Sequence, residues 1–153
     1  MKAHEAIERA LRGETVPGFA MKLPPPVAAL IGFEAVTVES GRAVFRLKTS
    51  VDKHSNPMGT THGGILCDLA DAAMGMACAS LLEADESFTT LELKMNFLRP
   101  VWEATLEARA KVVHRGRSMV YVECDVLQVP EGKLVARAGS TCTVLRGAEA
   151  KGR

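Results

Sequence analysis

Asn56-Pro57-Met58-Gly59-Thr60-Thr61-His62-Gly63-Gly64 is a polar, glycine-rich loop, and it opens directly onto Ile65-Leu66-Cys67-Asp68-Leu69-Ala70-Asp71. From Ile65 to Leu82 the side chains are mostly alanine, leucine, methionine and cysteine, with no lysine or arginine among them. A helix that apolar on all sides is a buried helix. Its only charges are Asp68 and Asp71, and burying an ionised carboxylate without a partner costs several kcal/mol. At least one of the two therefore meets something polar that the helix does not supply.

Outward from this segment the chain reads as sheet. Over residues 90–97, Leu91, Leu93, Met95 and Phe97 share one face and Glu92, Lys94 and Asn96 the other. Over 101–113, Trp102, Ala104, Leu106, Ala108, Ala110 and Val112 alternate with Glu103, Thr105, Glu107, Arg109 and Lys111. A third run, 117–129, aligns Val120, Val122, Cys124 and Val126, and a fourth, 133–145, follows a Pro130-Glu131-Gly132 turn. On the N-terminal side, 33–39 and 42–48 read as two strands around a Ser40-Gly41 turn. Such period-two alternation predicts an antiparallel sheet with one face covered, and the central helix is the cover. The opposite register, with Val101, Val113, Met119 and Tyr121, leaves an outer face for association.

The fold class is α+β, a long central helix wrapped by a curved antiparallel sheet of about five or six strands. Residues 2–12 have helical spacing of Ala3, Ile7, Ala10 and Leu11 and stop at Gly13. The proline-rich 17–26 is a connector, and 27–31 has room for one or two helical turns. The glycine-containing, charged tail 146–153 is expected to fray. No repeat or second boundary divides the 153 residues, so 1–153 is one domain in which 1–31 is an N-terminal helix and connector.

Composition excludes several classes. Nineteen basic and eighteen acidic side chains give a formal net charge of +1, so there is no nucleic-acid footprint. The N-terminus has no apolar core of a secretory signal, and the central helix carries two aspartates that a bilayer would penalise, so no membrane partner is expected. Cys67, Cys78, Cys124 and Cys142 make no CxxC pair, and the first two lie about 16 Å apart along one helix. Single, unpaired cysteines of this kind predict small core residues in a reducing, cytoplasmic setting.

The loop and helix Asn56…Gly59-Thr60-Thr61-His62-Gly63-Gly64…Leu69-Ala70-Asp71, the strand end Asn96-Phe97-Leu98-Arg99-Pro100 and the turn His114-Arg115-Gly116-Arg117-Ser118 resemble the hotdog-fold acyl-CoA thioesterases. The similarity covers roughly residues 32–145 and is greatest to the phenylacetate-degradation and thioesterase-superfamily-member-2 type branch. Its strongest element is the spacing from His62-Gly63-Gly64 to Asp71. The resemblance implies a hydrolase that cleaves an acyl- or aryl-CoA thioester to free acid and coenzyme A. It puts the acidic residue on Asp71, the carbonyl-polarising backbone amide on Gly63, and further catalytic positions on Asn56, His62 and Thr90, with Thr89 one residue away. Gly64, Arg99, Arg115, Gly116 and Arg117 are the implied substrate-binding positions. Implied too are a homodimer with shared active sites, commonly paired again as a homotetramer, and no cofactor, coenzyme A being part of the substrate.

Elementary chemistry runs parallel. Thioester hydrolysis develops negative charge on the carbonyl oxygen, and a fixed donor aimed there lowers the barrier. Backbone N–H groups in a helix's first turn are unpaired and sit at its positive end, and glycine permits close approach, so Gly63 and Gly64 both qualify. A carboxylate then attacks the carbonyl or takes a proton from an attacking water. Gly63 and Asp71, eight residues apart on one helix, are separated by roughly 12 Å along the axis, so they cannot both touch one carbonyl. If both act, two subunits build each site, and two-fold symmetry makes the sharing reciprocal.

Asp68 reads as a helix-start carboxylate favoured by the dipole. Asn56, beside Pro57, also reads as a turn-former, and His62 also as a loop support. No metal is expected, because His54, His62, Asp68 and Asp71 lack ligand spacing, and there is no G-x-S-x-G elbow for a serine nucleophile. The alternative to an enzyme is a hotdog module that binds or senses acyl-CoA without cleaving it, and the carboxylate at position 71 favours the enzyme.

Overall fold

The structure is a computed structural model and describes residues 1–151. In chain order its elements are α1 (Ala3–Leu11), α2 (Pro26–Ile31), β1 (Glu34–Glu39), β2 (Arg42–Lys48), α3 (Val51–His54), α4 (Gly63–Ala79), β3 (Glu86–Phe97), β4 (Thr105–Arg115), β5 (Met119–Val129) and β6 (Lys133–Arg146). The six strands form one antiparallel sheet in the order β1-β2-β4-β5-β6-β3. Helix α4 lies across its concave side, chiefly against β2, β4 and β5. This is the hotdog architecture that the sequence predicts.

The core follows from the alternation. Leu66, Leu69, Ala70, Ala73, Met74, Ala77 and Cys78 of α4 are buried against Leu106, Ala108, Ala110, Val120, Val122, Cys124 and Val126. Small side chains let helix and sheet approach closely. The helix is not buried all round, however: Gly64, Asp68 and Asp71 form an exposed stripe. At its C-terminal end Ser80 accepts from the Gly41 amide at 2.8 Å and donates to the Ala77 carbonyl at 2.6 Å, tying α4 to the β1–β2 turn. Gly41 has φ +72°, which suits that turn to glycine.

Three strand readings change. β3 carries a bulge between Thr90 and Glu92, so Leu91 falls out of the ladder and is 56% exposed, while Thr90 on one side and Leu93 and Met95 on the other turn inward. β4 begins at Thr105, not at 101. Residues 101–104 have the right alternation but bond elsewhere: the Val101 carbonyl accepts from the Thr61 amide at 2.7 Å, and Thr49 Oγ1 donates to the carbonyls of Trp102 and Ala104. Val101 is consequently buried, not on the outer face, and Trp102 is exposed, whereas Val113, Met119 and Tyr121 are exposed as expected. Where the tail is expected to fray from Arg146, Arg146 ends β6 and donates to the Arg117 carbonyl at 2.6 Å, and Gly147–Ala150 make a 3-10 turn; residues 152–153 lie outside the described residues.

Candidate active site

The Asn56–Gly64 loop is a small hairpin that delivers the start of α4. Asn56 closes it: its amide donates to the Thr60 carbonyl at 2.7 Å, its Oδ1 accepts from the amides of Met58 and Thr60, and its Nδ2 donates to Thr60 Oγ1 at 2.6 Å. The side chain of Asn56 therefore holds the loop, the turn-forming reading of that residue. Gly59, at φ +90°, supplies the left-handed position that the hairpin needs. Beneath the loop lies buried His54, which the sequence offered only as a rejected metal ligand. Its Nδ1 accepts from the Ser50 amide at 2.9 Å, leaving the Nε2 proton to be donated to the Ile31 carbonyl at 2.8 Å, and its own carbonyl accepts from the His62 amide at 2.7 Å.

His62 is the N-cap of α4. Its Nδ1 accepts the Gly64 amide at 2.9 Å. Of the two glycine amides considered as carbonyl donors, Gly64 is thus already engaged, whereas the Gly63 N–H has no acceptor among the described residues. The Phe97 ring covers Gly63 so closely that a Cβ there would lie 2.9 Å from Phe97 Cζ, a contact that position 63 tolerates only as glycine while the ring stays in place.

Two turns further along α4, Asp71 accepts a hydrogen bond from Thr90 Oγ1 at 3.3 Å. The β3 bulge orients Thr90 toward the helix, and of the two neighbouring threonines it is Thr90 that meets the acid. Asp71 retains open surface as a residue, but groove walls crowd its carboxyl. This loss of hydration pushes its pKa above the ordinary aspartate value; the Thr90 hydroxyl pulls it down, and the negative charge of Asp68 pushes it up. Asp68 itself is not in the first turn of α4, which contains no acidic residue, so the helix-start role is corrected. It lines the same groove as Asp71.

That groove, about 190 Å³, runs between the open stripe of α4 and the N-terminal segment. Leu23, Val27 and Ala28 form one wall, Phe33 and Phe45 the floor, and Ala72 and Met76 the helix side. Its lining is mostly apolar, as an acyl pocket requires.

The positions suggested for substrate binding separate into two ends. Arg99 follows β3 near Phe97 and Gly63, and Gly116 and Arg117 occupy the β4–β5 turn near the start of β3. The Arg99 and Arg117 side chains are exposed and form no ion pair among the described residues. Arg115 is different: its guanidinium is already engaged, pairing with Glu86 at 2.7 Å and donating to the Gly116 carbonyl. Glu86, whose side chain is 4% exposed, also pairs with Arg146. Burial alone would raise its pKa, but the Glu83 amide, Arg115 and Arg146 outweigh that and hold it below the ordinary range. Glu86 was not foreseen, because sequence gives no sign that two arginines from other strands reach it.

A helix enclosed by an antiparallel sheet defines the hotdog class, and here it carries a groove-lining carboxylate and, among the described residues, an unpaired amide at a glycine helix start. Residues 58–135 match the family model of the Thioesterase superfamily, and the chain belongs to that family. The 1,4-dihydroxy-2-naphthoyl-CoA hydrolase of Listeria monocytogenes is 33% identical over 114 residues, which is 74% of this chain and 89% of that one. A mutant of the phenylacetic acid degradation protein PaaI from Thermus thermophilus superposes with a TM-score of 0.72 at 31% identity, covering 78% of this chain and 98% of that one. The E. coli PaaI protein from the phenylacetic acid degradation operon has the same fold, with a TM-score of 0.79 at 24% identity over 96% and 98% of the two chains. The chain is an enzyme, a thioester hydrolase. Among the described residues no helix is long and apolar enough to cross a membrane.

Proposed function

We propose that this chain hydrolyses the thioester of an acyl- or aryl-coenzyme A, with Asp71 as the nucleophile or general base and the Gly63 amide as the donor to the carbonyl oxygen. The observation that carries this reading is Asp71, bonded to Thr90, lining a mostly apolar groove. Thr90 fixes the rotamer of the carboxylate, and the groove takes the acyl chain. As base, Asp71 takes a proton from a water that adds to the carbonyl carbon, and the carbon–sulfur bond breaks as the thiol of coenzyme A leaves with a proton; as nucleophile, Asp71 itself adds there, the thiol leaves with a proton, and water then cleaves the mixed anhydride to free acid and Asp71. Both routes need Asp71 ionised, toward the carbonyl carbon as nucleophile or toward the attacking water as base. His62, by engaging Gly64 and capping α4, aims the Gly63 N–H, and Asn56 holds the loop that carries them. No cofactor enters this scheme. Arg117, with the Gly116 turn backbone beside it, and Arg99 at the opposite end of β3 are cations left to meet coenzyme A phosphates.

Gly63 and Asp71 sit roughly 12 Å apart along continuous α4, so each site draws on two copies of the chain. The free edge of β3 supports this. It is a sheet edge twelve residues long, with exposed Leu91 and Phe97 and with Leu98 just beyond, and it is unprotected by proline. Pairing β3 antiparallel with its own copy, about an axis near Leu93 and Lys94, sets the Gly63–Phe97 end of one protomer against the Asp71–Thr90 end of the other. A homodimer with two shared sites follows, and exposed Val113, Met119 and Tyr121 offer a face for a homotetramer. The four free cysteines suit a cytoplasmic enzyme.

The test is release of free thiol from a panel of short, medium and aryl acyl-CoAs. The wild-type chain cleaves at least one of them, and Asp71→Asn loses 10²-fold or more, on the order of what a positioned acid–base group contributes, while staying folded. Full activity in Asp71→Asn contradicts the mechanism. Failure to cleave every member contradicts the substrate assignment.

A further inference from the structure

The acyl groove is charged in one sense only. Its lining includes three carboxylates, Glu34, Asp68 and Asp71, and no lysine, arginine or histidine. None of the three forms an ion pair among the described residues. Nor do they converge as a cation site would, since no group of three such side chains among the described residues is placed to hold a metal ion. They are distributed around the occupant's path. Asp71 has its task at the carbonyl, but Asp68 and Glu34 take no part in the bond changes of the hydrolysis.

We propose that Asp68, supported by Glu34, is a specificity-determining residue that restricts the groove to acyl groups without a carboxylate of their own, so that monothioesters of dicarboxylic acids are rejected. The inference rests on the acyl-CoA reading of the groove. Asp68 lies three residues before Asp71, on the same helical face, where side chains are about 5–6 Å apart. An acyl chain whose carbonyl meets Asp71 therefore passes within a few ångströms of a second negative charge. Asp68 and Glu34 keep solvent exposure, so water screens them in part, but a like charge held beside them against the apolar walls still meets a repulsion that it escapes in bulk water. A neutral chain meets only the apolar walls, and a hydroxyl on it finds an acceptor. The volume of about 190 Å³ agrees with a single ring or a medium chain, given that a cavity of about 150 Å³ admits benzene.

Two non-hydrolysable thioethers of equal length, S-hexyl-coenzyme A and S-(5-carboxypentyl)-coenzyme A, test this by titration calorimetry on the full chain. Wild type binds the hexyl compound at least tenfold more tightly. Asp68→Asn narrows that ratio severalfold, and Asp68→Asn with Glu34→Gln narrows it further, with hexyl binding retained as the check on folding. Equal affinities in wild type, or a ratio that neither variant changes, overturns the filter while leaving the acyl-CoA reading intact. No binding of the hexyl compound overturns that reading and the filter with it.

Discussion

Asp71 is a carboxylate held where its ionised form is disfavoured, and that has consequences in opposite directions for rate and for stability. The acid limb of kcat/KM reports the pKa of the group in the free enzyme. Asp68→Asn removes a neighbouring negative charge and moves the limb to lower pH; Thr90→Val removes a hydrogen bond to the ionised form and moves it to higher pH. A pH–rate series on the two variants checks both signs, and limbs that do not move contradict the assignment of Asp71 as the titrating group. For stability, a folded pKa above the unfolded one means that the contribution of Asp71 is fully present below the unfolded value, about 3.9, and is lost as pH rises through the folded value. At pH 7 the ionised side chain is a liability. Asp71→Asn accordingly raises Tm at neutral pH, and the gain vanishes near pH 3. Of this residue the sequence shows the isolation on an apolar helix; it does not show Thr90, because Thr89 and Thr90 are chemically identical and only the bulge separates them.

The order of the elements was largely legible in the sequence. β2 has the bounds that the alternation predicts, and β5 buries Val120, Val122, Cys124 and Val126 as expected. The departures arise where hydrogen bonding overrides pattern. Leu91 has the period of its neighbours and is displaced by a bulge; residues 101–104 alternate but bond to Thr49 and Thr61; α3 is a single turn with no periodicity to read. The ends of β3, β4 and β6 are joined by Glu86 with Arg115 and Arg146, an ion cluster whose acid is nearly inaccessible. Removing one member of a buried pair is costly because the other charge is left uncompensated. Glu86→Ala is expected to lower unfolding stability by about 3 kcal/mol, the lower end for such pairs because both arginines keep some solvent. Denaturant titration measures it, and a loss below about 0.5 kcal/mol, the scale of an ordinary surface substitution, contradicts a structural role for the cluster.

For the molecule as a whole, the decisive fact is the length of α4. A straight helix puts the amide at Gly63 and the acid at Asp71 too far apart to serve one carbonyl, and the free β3 edge offers the means of bringing a second copy to complete the site. The separation of the two groups along the helix was legible from spacing alone, whereas the apolar groove under the N-terminal segment was not, because its walls come from residues 23–35 folding back over α4. Subunit mixing addresses the shared site. Gly63→Pro, made together with Phe97→Ala so that the ring no longer meets the new Cβ, removes the amide proton at the first helical position, where the ψ of 136° at His62 already suits a following proline. Asp71→Asn removes the acid. Each homodimer is inactive, but a mixed dimer has one site with both groups intact, so equal mixing after unfolding and refolding restores about a quarter of wild-type activity per chain. No recovery from a mixture in which both variants are folded and exchange subunits contradicts a site built from two chains.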